Sequence, residues 1–222
     1  MHLEIPKHKL HSLKEFASHY LMIVLSILTA LGLEQWIEHV HHERAAETAS
    51  RQIEAELAND LAEIREATQS NTKDLKPLLE LDKLITADVL AGTDSKTINE
   101  HIQAHRKQFD INIHWPIFAS QAWDVAVANQ SASWIPADRL NAYSGAYADQ
   151  RHASEWLSQD STLLLSAPRM VDIRTQVELG RNVDPIDFIT VLRQMIATVQ
   201  GTQSHLQQLE PHMVAALGKE TP

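Results

Sequence analysis

The sequence contains no cysteine among its 222 residues. It therefore cannot form a disulfide, use a thiol as a nucleophile or hold a metal ion through thiolates. Glycine is scarce as well, with six residues, and no P-loop, GxGxxG or GxSxG pattern occurs. The sequence thus offers no recognisable phosphate-binding loop and no serine nucleophile on a tight turn. We expect no catalytic residue and no cofactor.

Positive charge is also in short supply. Lys and Arg together number 19 against 29 Asp and Glu, which gives a formal net charge of −10. Proteins that bind a nucleic-acid backbone do so through clustered Lys and Arg, and no such cluster follows the N-terminal segment. We therefore expect no nucleic-acid partner. Stretches rich in Ala, Leu, Glu and Gln dominate the chain, and this composition favours helices over strands.

One apolar run is present near the N-terminus. Residues 16–33, FASHYLMIVLSILTALGL, include no formally charged side chain. At 1.5 Å per residue this run covers roughly 27 Å, close to the hydrocarbon thickness of a bilayer. We predict a transmembrane helix over residues 16–36 that contacts lipid, with Trp36 near one interface. Two alternatives are a buried core helix and a cleaved signal peptide with small residues at Ala30 and Gly32.

Charged residues on either side of this run predict its orientation. Lys7, Lys9 and Lys14 precede it, and acids beginning with Glu34 follow it. The positive-inside rule then makes residues 1–15 a short cytoplasmic segment. The rest of the chain is expected on the periplasmic or extracytoplasmic side of the inner (plasma) membrane.

Helical periodicity continues beyond the apolar run and predicts a juxtamembrane stalk helix over residues 37–70. A break is expected after it, because Asp74 suits an N-cap and Pro77 suits the first turn of a new helix. That helix would turn back toward the membrane and end at Gly92. Residues 71–222 would then form a helical bundle that packs with the stalk.

The acidic side chains of the stalk are interpreted as a solvated face, and they include Glu54, Glu56 and Glu63. Further helix boundaries are predicted at Pro116, Pro136 and Pro168. The strongest start signal is Asp184-Pro185-Ile186-Asp187, with an N-cap, a proline at the first helical position and an acid at the third. The predicted fold class is all-α: one N-terminal transmembrane helix, a helical stalk and an irregular bundle of about five or six helices.

Two stretches carry a resemblance to other proteins. In the first, an apolar span ends in a small residue and an acid near a Trp and then becomes a charged helix: LMIVLSILTALGLEQWIEHVHHERAAETASRQIEAELANDL. In the second, a helix with Ala-Trp leads through a polar turn to a helix rich in Tyr: FASQAWDVAVANQSASWIPADRLNAYSGAYADQ. Together they cover about a third of the chain, and they resemble uncharacterised bacterial single-pass membrane-anchored helical proteins. The resemblance implies an anchored helical domain and no catalytic activity.

Thirteen histidines raise the question of a metal site. Residues four apart share one face of a helix, and such pairs include Glu38 with His42, His39 with Glu43, and His101 with His105. A pair needs further ligands placed by the fold, and the sequence names none. We predict no metal site, and the sequence leaves open whether His39, His42 and Glu43 ever bind a metal ion.

Aromatic residues are few, but six of them recur at helix breaks and helical spacings: Trp115, Trp123, Trp134, Tyr143, Tyr147 and Trp156. Aromatic side chains bury large apolar areas, so we predict that this set belongs to the core. The alternative is a groove in which Trp and Tyr form the walls of a peptide or ligand site.

These observations favour a membrane-anchored extracytoplasmic helical module that acts by protein–protein interaction in the cell envelope. Such a structural or accessory subunit would bind another membrane or envelope protein, or a second copy of itself. The alternative is a ligand-sensing helical domain that relays through a partner membrane protein. A metal-dependent or other hydrolase has the least support, because no catalytic constellation is recognisable.

Overall fold

The computed structural model describes residues 13–165 and 167–218, and within them every regular element is helical. Two 3-10 helices, Arg106–Gln108 and Ser131–Trp134, flank α3. The six α-helices of the described residues are α1 (Leu13–Leu90), α2 (Ser95–Ala104), α3 (Gln121–Ala128), α4 (Ala137–Leu165), α5 (Pro168–Glu178) and α6 (Pro185–Ala216). The predicted all-α fold class is confirmed.

Helix α1 is continuous over 78 residues, or roughly 117 Å at 1.5 Å per residue. The break predicted near Asp74 is therefore wrong, and Pro77 lies inside the helix. A proline in a helix interior costs about 3 kcal/mol. Burial of each large apolar side chain returns roughly 1.5 to 3 kcal/mol, and four are buried around this position: Leu75, Leu78, Leu81 and Ile85. The chain turns only at Gly92, as predicted, where φ is +70°.

Helix α6 runs antiparallel to α1 along most of the bundle. Three polar pairs join the two helices in a constant register: Arg193 Nε to Asp82 Oδ1 at 2.8 Å, Gln203 Nε2 to Thr72 Oγ1 at 2.7 Å, and Arg65 Nε to Glu210 Oε1 at 2.6 Å. As the residue number falls along α1, it rises along α6. The C-terminal end of α6 therefore lies on the side of the bundle from which the N-terminal part of α1 emerges.

Helix α4 completes the central three-helix layer. Tyr143 donates to Glu54 and Gln150 donates to Asp60, so α4 runs parallel to α1. It is antiparallel to α6, because Asp149 faces His212 while the ring of Trp156 lies on His205. The shorter helices and the irregular segments cover the flanks of this layer.

The core consists of two clusters that follow each other along α1. The proximal core takes in Ala46–Ala67 of α1 with Tyr143 and Tyr147 of α4 and the C-terminal half of α6. The distal core takes in Leu75–Ile85 of α1 with α2, α5 and the N-terminal half of α6. The predicted stalk is thus not separate from the bundle, since most of its length lines the proximal core.

The N-terminal part of α1 packs against nothing else in the described structure. Every side chain from Phe16 to Leu33 is exposed except Val24, which is half-buried. This part of α1 is long and apolar enough to cross a membrane, and none of its most apolar window is buried. The predicted N-terminal segment 1–15 lies outside the described residues except for its last three, which begin α1.

Local capping sets where the shorter helices begin. Asp184 accepts from the backbone N–H groups of Ile186 and Asp187, so the predicted start of α6 is confirmed. Asp94 caps α2 in the same way, accepting from the backbone N–H groups of Lys96 and Thr97. Hydrogen bonds from the side chain and backbone of Thr97 hold the pKa of Asp94 below its usual value.

Replacement of Asp184 with Ala should destabilise the chain by about 1 kcal/mol, because the first turn of α6 loses the acceptor for two backbone N–H groups. Urea denaturation of the full chain in detergent, followed by circular dichroism, measures the change. Asp184→Asn is the matched control and should retain most of the stability, since Asn is an equally good N-cap. Equal losses in both variants would contradict the capping role.

Candidate functional site

The least regular part of the described chain is an extended strap, residues 109–120, between the first 3-10 helix and α3. It lies along α1 in the antiparallel sense. At its centre, Asn71 of α1 donates to the backbone carbonyl of His114 at 3.0 Å and accepts from the backbone N–H of His114 at 2.8 Å. Asp74 adds a 3.0 Å contact with the imidazole of His114. A buried amide thus pairs with the strap as a neighbouring β-strand would.

Three carboxylates on one face of α1 hold the rest of this segment. They accept from backbone N–H groups: Glu63 from Ile117 at 2.8 Å, Asp60 from Ala119 at 3.3 Å, and Glu56 from Ala122 at 3.0 Å. Ala122 lies in the first turn of α3, where N–H groups lack helical partners, and the N-cap residue Ser120 supplies no side-chain acceptor. Glu56 therefore caps α3 from another helix, and a negative charge is favourable at this end.

Two acids of α1 that the sequence placed on a solvated face lie elsewhere in the structure. Glu54 and Glu56 are half-buried rather than part of a solvated face. Glu54 accepts from the Tyr143 hydroxyl at 2.7 Å and pairs with the guanidinium of Arg139. Glu56 accepts from the Tyr147 hydroxyl at 2.6 Å, and burial together with this bond raises the pKa of Tyr147. Glu63 is exposed as expected, although it also accepts from the strap.

Asp60 is the most deeply buried acid of this network, with 3% of its surface exposed. Burial raises its pKa to about 6, and the nearby charges of Glu56 and Glu63 add to that effect. Hydrogen bonds from Ala119 and from Gln150, the latter at 2.6 Å, act in the opposite direction. The ionised carboxylate is thus held in the core at a cost, and its two acceptor oxygens join α4 and the strap to α1.

The predicted aromatic core is only partly correct. Tyr143 and Tyr147 are fully buried in the proximal core. Trp134 is 51% exposed, and its ring stacks on the imidazole of His42 with centroids 3.7 Å apart. The other three, Trp115, Trp123 and Trp156, are half-buried. Helical spacing identified residues near the interior but could not separate full burial from a position at its edge.

Trp156 lines an open groove between α4 and α6 with a volume of about 330 Å³. This α4–α6 groove is lined on the α4 side by Asp149, His152, Ala153 and Trp156, and on the α6 side by His205, Gln208, Leu209 and His212. Trp156 therefore lines a groove, while the binding of a peptide or ligand by the aromatic set stays a prediction. Spacing along the chain did not single out the three histidines of this groove, because they lie on two helices more than 50 residues apart.

The histidine pairs identified in the sequence form local contacts. His39 lies 3.2 Å from Glu43 and His42 lies 3.5 Å from Glu38 along the exposed helix. His101 instead contacts Asp88 at 2.7 Å, while His105 contacts the backbone carbonyl of His101. Across the described residues, no three His, Asp or Glu side chains are grouped in metal-ligand geometry.

No protein-family model, curated protein or solved structure matches the chain. The geometry alone therefore defines the class: an all-α protein with one long apolar N-terminal helix that continues into a helical bundle. The resemblance to bacterial membrane-anchored proteins stays a prediction.

Asp60→Asn should remove a pH dependence from the stability of the bundle. The raised pKa means that folded Asp60 binds a proton more readily than unfolded Asp60. Protonation of Asp60 therefore contributes to the free energy of unfolding in full below pH 3.8, and this contribution is lost as the pH rises through about 6. At about 1.4 kcal/mol per pKa unit the effect is at most about 3 kcal/mol.

Urea denaturation of the parent and Asp60→Asn chains from pH 4 to pH 7 tests this. The stability of the variant should change less than that of the parent between pH 7 and pH 4, and the parent should gain on the variant as the pH falls. Glu63→Gln, which changes an exposed acid that also holds the strap, is the control and should leave that pH dependence in place. Parallel curves for parent and Asp60→Asn would contradict the role of Asp60.

Proposed function

We propose that the chain is a membrane-anchored helical module of the cell envelope that acts by binding another membrane or envelope protein rather than by catalysis. One observation carries this proposal. The apolar part of α1 is exposed at every residue but the half-buried Val24, and the same helix enters the proximal core at Ala46 without a break. An exposed apolar helix of this length requires an apolar environment, and a bilayer provides one.

The distribution of charge supports an orientation with the N-terminus in the cytoplasm and the bundle on the extracytoplasmic side. Lys7, Lys9 and Lys14 precede the span, whereas Glu34 and Glu38 follow it directly. Retention of the span is supported by the continuity of α1, because signal peptidase requires an accessible, extended site. An inner (plasma) membrane follows from this topology in a bacterial cell.

The polar groups of the bundle favour a binding role. Glu54, Glu56 and Asp60 all accept hydrogen bonds from the protein itself and hold α4 and the strap in place. A carboxyl with a raised pKa often marks a catalytic site, but structural networks perturb the pKa as well. Here the observed partners of Asp60 account for its position in the core.

A lateral partner would meet the side of the bundle covered by the strap, α3 and the second 3-10 helix. This segment carries four exposed large apolar side chains: Ile117, Val125, Val127 and Trp134. Ile117 is 82% exposed, although Glu63 holds its backbone against α1. Apolar side chains kept outward on a well-anchored segment suit a protein contact.

The alternative of a ligand-sensing domain has one specific observation in its favour. The α4–α6 groove opens to solvent, and α6, one of its walls, is also paired with α1 along its length. A ligand in the groove would therefore contact α6, which is paired with α1, the helix that leads into the membrane.

Topology can be tested by single-cysteine labelling, because the natural chain has no cysteine. Ser204→Cys, on an exposed turn of α6, should react with an impermeant maleimide in right-side-out spheroplasts. Ser12→Cys should react only after the membrane is opened. The reverse pattern would contradict the orientation, and a mature chain that begins at Leu33 would contradict retention of the span.

The binding surface can be tested by co-purification from native membranes after mild crosslinking. The combined variant Ile117→Ser, Val125→Ser and Val127→Ser should lose the partner while its stability changes by less than about 1 kcal/mol, since all three side chains are exposed. The matched control is Val171→Ser with Leu179→Ser, which alters exposed apolar residues elsewhere in the bundle and should retain the partner.

A second variant separates the bundle from the span as the site of recognition. Residues 16–33 are replaced with an unrelated apolar span of the same length and orientation. We expect the partner to be retained, because the proposed contact lies in the bundle. Loss of the partner from a correctly folded, correctly inserted swap would contradict the proposed surface and place recognition in the span.

A further inference from the structure

The α4–α6 groove concentrates imidazoles and a carboxylate on two antiparallel helices. Three of the chain's 13 histidines line it. Two contacts across the groove define how the helices face each other: His212 Nδ1 lies 2.5 Å from Asp149 Oδ2, and the rings of Trp156 and His205 have centroids 3.7 Å apart. The groove therefore has two levels, separated by seven residues on each helix, or about 10 Å.

His152 lies between these two levels. It is three residues from Asp149, so both side chains project from the same face of α4. Its side chain is exposed, and in the part of the chain that the structure describes it has no hydrogen-bond or ion-pair partner. An imidazole in this position can turn toward the contact between Asp149 and His212.

We propose that Asp149, His152 and His212 bind a divalent transition-metal ion of the Zn²⁺ class across the α4–α6 groove. Imidazole nitrogen and carboxylate oxygen are ligands that Zn²⁺ prefers, and three protein ligands with water in the fourth position form an open tetrahedral site. The proposal concerns this groove alone and does not depend on the proposed membrane partner.

The contact between His212 and Asp149 is the part of the site already in place. Metal binding requires Nδ1 of His212 without a proton, so the proton between Nδ1 and Oδ2 of Asp149 passes to water, and the imidazole stays neutral with its remaining proton on Nε2. The two atoms then move apart from 2.5 Å to roughly 3.3 Å, the separation of two donors that each lie about 2.0 Å from a tetrahedral centre.

The third ligand arrives by rotation of His152. Across the described residues no three potential ligands are placed to hold a metal ion, so the proposed site requires His152 to move toward Asp149 and His212. Rotation of an exposed side chain between staggered rotamers requires no change in the backbone. The bound ion would join α4 to α6 at the level of the proximal core, where Met213 and Ala153 are buried.

His205 does not belong to this ligand set. It is seven residues from His212 on α6, about 10 Å along the helix, whereas two histidines that share a metal ion on one helix are usually four residues apart. Its ring is also held by Trp156, which itself lies so close to α6 that a Cβ at Gly201 would be 3.4 Å from the indole. His205 therefore provides a matched control in the same groove.

Calorimetric titration of the full chain in detergent with ZnCl₂ tests the proposal, with Co²⁺ as a second probe whose visible absorption reports tetrahedral coordination. His39→Ala and His42→Ala are included in every sample to remove a competing exposed pair. The parent should bind one ion, and His152→Ala and His212→Ala should each weaken binding at least tenfold, as expected when a metal site loses a ligand. Asp149→Asn should do the same, and His205→Ala should leave binding unchanged.

A second readout keeps folding separate from metal binding. Thermal unfolding without metal should be similar for the parent and His152→Ala, because the His152 side chain is exposed, whereas His205→Ala loses the contact with Trp156 and is compared with its own metal-free melting temperature. ZnCl₂ should raise the melting temperature of the parent and of His205→Ala, but not that of His152→Ala. Zinc affinity in the His152→Ala, His212→Ala double variant equal to that of the parent would overturn the proposal. Loss of binding in His205→Ala would overturn the ligand assignment.

Discussion

The continuity of α1 is the constraint on which the rest of the structure depends. One helix presents an exposed apolar segment at its N-terminal end and lines both core clusters further along. From Leu33 to Ala46 the chain rises by roughly 20 Å as helix, so no flexible linker separates the apolar segment from the bundle. The other helices must therefore pack around a rod whose direction is already set.

The irregular segments of the described chain have no β-strand to pair with. Side chains of the helices instead form the hydrogen bonds that their backbone groups need. Asn71 pairs with the backbone of His114, and Asn99 pairs in the same two-way manner with the backbone of Val183. Both amides are buried. A buried backbone group without a partner costs about 1 to 3 kcal/mol, so each asparagine removes two such costs. The carboxylates of α1 do the same for the strap and for the start of α3.

Local chemistry made some of this predictable. Gly92, Pro168 and Asp184 mark helix ends or starts whose cause lies within a few residues, and sequence reasoning placed all three correctly. Pro77 carries an equally local signal, but burial of the apolar stripe around it is worth more than the lost hydrogen bond. Competition between local preference and tertiary burial cannot be judged from the segment alone.

Neither the hydrogen bonds that hold the strap nor the α4–α6 groove could be predicted from the sequence, for a related reason. Asp60 occupies a core-facing position on α1, three residues after Leu57 and four before Ile64, and that placement is a signal the sequence did contain. What a buried acid at this position contacts depends on the strap, some 60 residues later in the chain. The groove likewise exists only because α4 and α6 are antiparallel. Spacing within one helix identifies a face, whereas the partner of that face is decided by the packing of the whole bundle.

Helix α6 connects the α4–α6 groove to α1, the helix that carries the exposed apolar segment. It forms one wall of the α4–α6 groove, and it is joined to α1 by polar pairs at three levels. A bound ion or ligand changes the equilibrium between two arrangements only if it binds one of them more tightly. The ion proposed for the groove would satisfy that condition, because its ligands would come from both helices and separation of the helices would break the set. Helix α6 is in turn paired with α1, the helix that continues, unbroken, into the exposed apolar segment.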